Sequence, residues 1–354
     1  AYTTIDDPSA YFKVQLYTGT GSSNAQTFAD TDTDMQPDMV WIKSRSDEFN
    51  HMLYDSVRGV QKHIKPDGTN AEATDSNALT AFGSDGFTVG SNTDINNSSD
   101  TYVAWCWKAG TTSGITTNGS TDITPSAYSF NQTSGFSIIK YTGDDTNSQV
   151  AHGLGAVPKT IIIKQADATR DWAVYNVGVN GGSSPEDYGL ELSDQTAQND
   201  DNGWWNDTAP DSVNITVGRD SRTNGHDTGT YIGYCFADKQ GFSKFGSYTG
   251  NGNADGPFVY TGFRPALVII KNTAATQNWT MNDNKRLGYN PDNNILFPNT
   301  TGADHTGDNI DLLSNGFKIR WDDGVNNTSG ENFIYMAWAE APFVNSNGVP
   351  CNAR

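Results

Sequence analysis

PDMVWIK (Pro37–Lys43), PKTIIIK (Pro158–Lys164) and PALVIIK (Pro265–Lys271) share a proline, a mostly apolar or β-branched run and a closing Ile-Lys at identical spacing. Self-similarity of this kind marks repeated units within one chain. In the first segment Val40, Trp41 and Ile42 are apolar at consecutive positions. Such a run reads as a central strand covered on both faces, with its proline at the strand entrance where a missing N–H does least harm.

Working outward, each segment is preceded by an aromatic strand ending in Tyr-Thr-Gly: Phe12 to Gly19, Phe136 to Gly143 and Phe242 to Gly250. The distance from that tyrosine to the proline is 20, 17 and 17 residues. Each is followed by an aromatic closing strand, TYVAWCW around Tyr102, TYIGYCF around Tyr231 and IYMAWAE around Tyr335. Cys106 and Cys235 share one slot, with Ala339 read as its occupant in the third copy, so the thiol is a small buried hydrophobe. Inside the unit, Gly86-Phe87-Thr88-Val89 matches Gly316-Phe317-Lys318-Ile319, and the second copy offers only the looser Val213–Val217. Trp172 and Trp279 follow their Ile-Lys by eight residues, where the first copy has His51.

The prolines are 121 and 107 residues apart, so each unit has the size of one sandwich domain. Short runs of Val, Ile, Tyr, Trp and Phe between Gly, Asn, Asp and Pro predict an all-β chain of three tandem antiparallel β-sandwiches with little helix. The expected boundaries are 1–112, 113–240 and 241–344, with a tail over 345–354. Ala109–Asn131, rich in Gly, Ser and Thr, reads as a connector; Lys239-Gln240-Gly241 leaves almost none, so copies two and three are expected to sit closer together.

With 41 acidic against 22 basic residues and a net charge of −19, the summed field repels phosphate. Nucleic acid and anionic membranes are therefore not expected partners. No apolar run approaches the ~20 residues of a membrane helix. The start at Ala1, with no basic-then-apolar segment, suits a chain made in the cytoplasm whose initiator Met was removed.

A search for chemistry finds little. Cys106, Cys235 and Cys351 form no Cys-x-x-Cys pair, and no nucleophile elbow, phosphate loop, dinucleotide fingerprint or His-Glu-x-x-His is present. No cofactor, metal or catalytic residue is expected. His51, His63, His152, His226 and His305 stand in polar contexts and read as surface residues. Asp30-Thr-Asp32-Thr-Asp34 imitates the start of a calcium loop, but Met35 and Trp41 stand where Gly and Glu are needed. Asp322-Asp323-Gly324 is left as an irregular site for a structural ion. Trp204 and Trp205, within DNGWWND, are the candidate glycan contacts, the competing reading being that one indole anchors the loop in the core.

VWIKSR (Val40–Arg45), LYDSVRGV (Leu53–Val60), SDGFTVG (Ser84–Gly90), YVAWCWKAG (Tyr102–Gly110) and FVNSNGVPCNAR (Phe343–Arg354) resemble a family of marine bacteriophage, cyanophage-like virion proteins described as tail-fibre-like. GFSIIKYTG and HGLGAVPK look like that family's internal domains. The resemblance implies concanavalin-like jelly-roll domains and a particle component rather than a reaction. It supplies no catalytic residue, and neither the anchoring domain nor the stalk of typical tail fibres is visible.

The expectation that follows is a virion structural protein exposed on the particle surface, tail-fibre-like or a head-decoration knob, with other virion proteins as partners. A homo-oligomer, a trimer if a fibre, and contact with host-surface polysaccharide accompany it. The first copy's leader, AYTTIDDPSAYF, or the tail after Phe343 is the expected anchor. The alternative is a carbohydrate-active depolymerase on the same scaffold, with two carboxylates about 5 to 10 Å apart in a cleft.

Overall fold

A computed structural model describes residues 2–28, 33–286, 290, 293–307 and 310–352. The chain is all-β, and every strand pairing among these residues is antiparallel apart from one isolated bridge. One four-strand arrangement occurs three times. An opening strand (Phe12–Thr18, Phe136–Thr142, Ser243–Thr249) pairs with the closing strand (Thr101–Trp107, Thr230–Phe236, Asn332–Pro342). The closing strand pairs in turn with the proline-led strand (Met39–Ser44, Thr160–Gln165, Phe263–Asn272), and that with a return strand (Met52–Asp55, Ala173–Asn176, Thr280–Asp283). The proline-led strand is thus internal, and in the first two copies every residue of it is buried, as its unbroken apolar run requires.

A smaller sheet faces each of these. Its inner strand is Gly86–Val89, Asn214–Val217 or Gly316–Ile319, and its edge strand Asn24–Thr27, Ser148–Ala151 or Phe258–Tyr260. Copies one and three add a third strand, Leu79–Gly83 and Ile310–Leu313. The Tyr-Thr-Gly motif has a physical explanation here. Tyr17, Tyr141 and Tyr248 stack on Tyr102, Tyr231 and Phe333 at 5.1, 5.2 and 5.1 Å. Their hydroxyls donate to the carbonyls of Ile95, Thr223 and Asn326 in the segment before the closing strand. The glycine lies so close to that loop that a Cβ at Gly19 would fall 1.9 Å from Asn97 O, and one at Gly250 2.2 Å from Thr328 O.

Two details differ from expectation. Val40, Ile161 and Val268 stand opposite Cys106, Cys235 and Ala337, so the third copy's small residue in the cysteine slot is Ala337, not Ala339. Pro265 lies inside its strand, flanked by register shifts, because the third proline-led strand begins earlier, at Phe263. A bulge accommodates the missing N–H.

The outer faces of the three main sheets meet one another. Trp107, Phe236 and Trp338 occupy equivalent closing-strand positions, and their rings form a triangle with centroids 6.4, 5.3 and 5.3 Å apart. Around them Trp41, Trp172, Trp279, Leu53, Ile162 and Ile269 extend one continuous apolar cluster through all three copies. A void of only about 20 Å³ remains, lined by apolar and aromatic side chains of every copy.

The copies also grip one another head to tail. Trp172 Nε1 donates to Lys65 O and Gly68 O of the first copy at 3.1 Å, and Trp279 Nε1 to Glu191 O of the second at 2.9 Å. His51, in the same slot of the first copy, places Nε2 3.1 Å from Phe297 O of the third. Each copy thus holds its predecessor and the first holds the last, which closes a ring with pseudo-threefold symmetry. The contacts between copies two and three therefore have counterparts at both other junctions.

Because the copies share one core, removing an axial ring acts on all three. Trp338→Ala is expected to cost about 4 kcal/mol and to leave a single cooperative unfolding transition at lower urea, followed by tryptophan fluorescence and circular dichroism. Separate transitions for the copies would contradict a shared core.

Candidate functional site

Trp204 and Trp205 are both 1% exposed, so neither offers a ring face to a glycan. Trp204 lies flat on Gly189, whose Cβ would fall 2.3 Å from the indole, and Arg222 covers the ring at 4.3 Å. Trp205 Nε1 donates to Tyr188 O at 3.1 Å. The second copy has no third strand in its small sheet. The two indoles fill that place, packing with Val150, Ile215 and Val217. Their flanking Asp and Asn residues form turns: Asp201 accepts from Gly203 N, and Asn206 N bonds Asn202 O.

Three of the five histidines depart from expectation: His51, His63 and His152 are buried, whereas His226 and His305 are exposed. His51 Nδ1 accepts from Trp41 Nε1 at 2.9 Å, leaving Nε2–H to donate to Phe297 O. His152 Nδ1 accepts from Leu154 N, and its Nε2 faces Asp211 O, both at 3.2 Å. Both rings are held neutral. Burial pushes His51 well below the usual histidine range and His152 down to about 4.

Lys43, Lys164 and Lys271, which end the signature segments, are fully buried. Their ammonium groups bond backbone carbonyls: Ser44 and Asp47, Gln165 and Ala168, and Asn272, Gln277 and Gln195, at 2.6 to 3.0 Å. Burial lowers each to about 8. The motif is a clamp on the turn that follows, and the third clamp reaches across to the second copy. Buried Asn96, Asn224 and Asn327 are a further repeated element that sequence reasoning missed. Each accepts from the chain after Tyr-Thr-Gly, at Thr20 N, Asp144 N and Asn251 N. The available signal was an asparagine six or seven residues ahead of the closing-strand residues Tyr102, Tyr231 and Phe333.

Two buried ion pairs repeat as well. Arg58 Nε meets Asp55 at 2.5 Å and Arg286 Nε meets Asp283 at 2.6 Å. Tyr234 of the second copy donates to Asp55, and Trp105 of the first to Asp283. Cys106 and Cys235 are buried thiols pushed up by desolvation. Asp323 Oδ1 accepts from Val325 N and Asn326 N at 3.2 Å, closing a turn. Asp30 and Asp32 lie outside the described residues. Among the described residues no cluster of three His, Cys, Asp or Glu is placed to hold a metal ion.

What stands out is a surface. Tyr2, Phe258, Tyr260 and Val349 are 61%, 47%, 59% and 58% exposed, more than any other large apolar side chains described. Tyr2 and Tyr260 flank a groove of about 310 Å³, with Lys239, Lys244 and Phe343. Asp238 pairs with Lys244 at 2.9 Å. The leader and the tail meet here. Thr3 Oγ1 donates to Gln240 O at 2.8 Å, Ile5 enters the shared core, and Asp6 accepts from Ser346 N at 2.7 Å. Phe343 N donates to Gly262 O at 3.0 Å, beside the edge strand.

The buried lysines, asparagines and ion pairs are thus committed to the scaffold, and two of the most exposed rings, Tyr2 and Tyr260, meet at one groove beside the third copy's edge strand. This is an antiparallel all-β scaffold with a candidate docking surface. The family described as DUF7483, a domain of unknown function, matches residues 7–342, and the chain belongs to it. No curated protein and no solved structure matches the chain.

The two neutral histidines set an acid limit on the scaffold. Unfolded histidine takes up a proton near pH 6.5, while folded His152 refuses one until about 4. The histidine contribution to stability is therefore full above about 6.5 and is lost as pH drops toward 4, by up to about 3 kcal/mol from His152 alone. Urea midpoints at pH 7.5 and 5 are expected to show the loss, and His152→Gln to flatten the slope. An unchanged slope would show that His152 is protonated in the fold.

Proposed function

We propose that the chain is a non-enzymatic structural protein displayed on the surface of a bacteriophage particle, as a tail-fibre-like element or a head-decoration knob. In this reading each copy's pair of sheets is a concanavalin-like jelly roll, and the third copy's aromatic face attaches to another virion protein. The observation that carries it is the convergence of the leader, the tail and the exposed rings of Tyr2 and Tyr260 at one groove, since both segments outside the repeat arrive at the same place. The virion-protein motifs at Val40–Arg45, Tyr102–Gly110 and Phe343–Arg354 support the setting. A rigid ring with a shared core suits a part that is displayed and bears load. Trp204 and Trp205, being buried, take no part in host-glycan contact.

Gold-labelled antibody against the recombinant chain, applied to purified virions and read by electron microscopy, tests this. Label at the tail is expected for a fibre and label over the head for a knob, whereas bare particles overturn the reading. Release of reducing sugars from a host polysaccharide would replace it with the depolymerase alternative.

A further inference from the structure

We propose that the edge strand Phe258–Tyr260 binds an extended segment of a partner polypeptide as an added β-strand. The inference rests on reading this face as an attachment surface, and it specifies how the partner is held. Pro257 O accepts from Ile319 N, Val259 pairs with Phe317, and Thr261 N donates to Asn315 O. The alternate residues Phe258 and Tyr260 therefore turn their N–H and C=O groups outward, away from the sheet.

The second copy shows what such an edge accepts. Its edge strand, Ser148–Ala151, is covered by the connector that leads into the copy. Asp122 N and Ile123 N donate to Gln149 O at 2.9 and 3.0 Å, and Ala151 N to Ile123 O at 3.2 Å, in a parallel bridge. Register places Gln149 and Ala151 in the positions of Phe258 and Tyr260. The third copy has no such connector, because only Lys239-Gln240-Gly241 separates it from the second. In the first copy the same two positions are Ala25 and Thr27. The third edge alone carries two exposed aromatic rings, side-chain platforms for an incoming strand.

The occupant is a strand of another protein rather than a second copy of this chain. Two copies of this edge related by a twofold axis would pair antiparallel, whereas the strand that covers the equivalent edge in the second copy runs parallel to it. The segment would run parallel to Phe258–Tyr260 and place a β-branched residue where Ile123 sits.

The test uses the whole chain and a peptide of the covering segment Gly119–Pro125 with two lysines at each end. Amide hydrogen exchange is followed as the peptide is raised to millimolar concentration. Exchange at Phe258 and Tyr260 is expected to slow about tenfold while Gln149 and Ala151, whose edge is already covered, stay unchanged. The double variant Phe258→Ala with Tyr260→Thr, which installs the first copy's residues, is expected to lose most of the effect. Tyr260→Pro, which removes an outward N–H at an edge position, is expected to weaken protection at Phe258. No slowing at millimolar peptide, equal slowing in all three proteins, or slowing by an oligosaccharide but not by the peptide would each overturn the proposal. Peptide protection together with bare virions in the labelling experiment would retain the edge and discard the virion setting.

Discussion

Everything in this molecule depends on the triangle of Trp107, Phe236 and Trp338. A sheet with one face on its own small partner sheet still has a second face to bury, and in each copy that face is aromatic. Three such faces closing on one axis leave none exposed. The closing strands supply the rings because they lie between the opening and proline-led strands, where a side chain is surrounded on both sides. The apolar stripe of one copy has no complement except those of the other two.

Closure also needs direction, and the polar contacts supply it. A hydrophobic triangle alone would tolerate rotation of one copy against the next. The side chain eight residues beyond each clamp lysine removes that freedom by donating to a backbone carbonyl of the preceding copy, or of the third copy in the case of the first. The Asp–Arg pairs add a second registration, since Asp55 and Asp283 each accept a hydrogen bond from a ring of another copy. A buried carboxylate satisfied from two copies is costly to leave half-paired. His51 in the tryptophan slot shows that the requirement there is a donor at a given height, not an indole.

The repeat, its strands and the both-faces-covered character of the proline-led segment were legible in the sequence because they are local: spacing, period and turn residues. The closed ring was not, because it is made by residues such as Trp172 and Lys65 that lie 107 positions apart. Three histidines, His51, His63 and His152, were misread: polar neighbours in sequence suggested surface, while packing against other copies buried His51. Trp204 and Trp205 both follow the core-anchor alternative, and the reason was not legible because the missing strand they replace becomes visible only when the copies are compared in space. The docking face was legible in pieces, as the leader, the tail and the short second junction, but nothing in one dimension brings them together.

Divergence among the copies follows from the ring. Axial, clamp and Tyr-Thr-Gly positions are bound to near-identical environments and keep their chemistry, whereas the small sheets look outward and are free to change. The second copy used that freedom to close its edge with its own connector and to replace a strand with two indoles. The third lost the connector and placed aromatic residues where the first has Ala25 and Thr27. Exposed aromatic side chains on an uncovered edge invite unwanted pairing. Two of them on one edge, beside a groove where the leader and the tail meet, are explained if something outside the chain covers them.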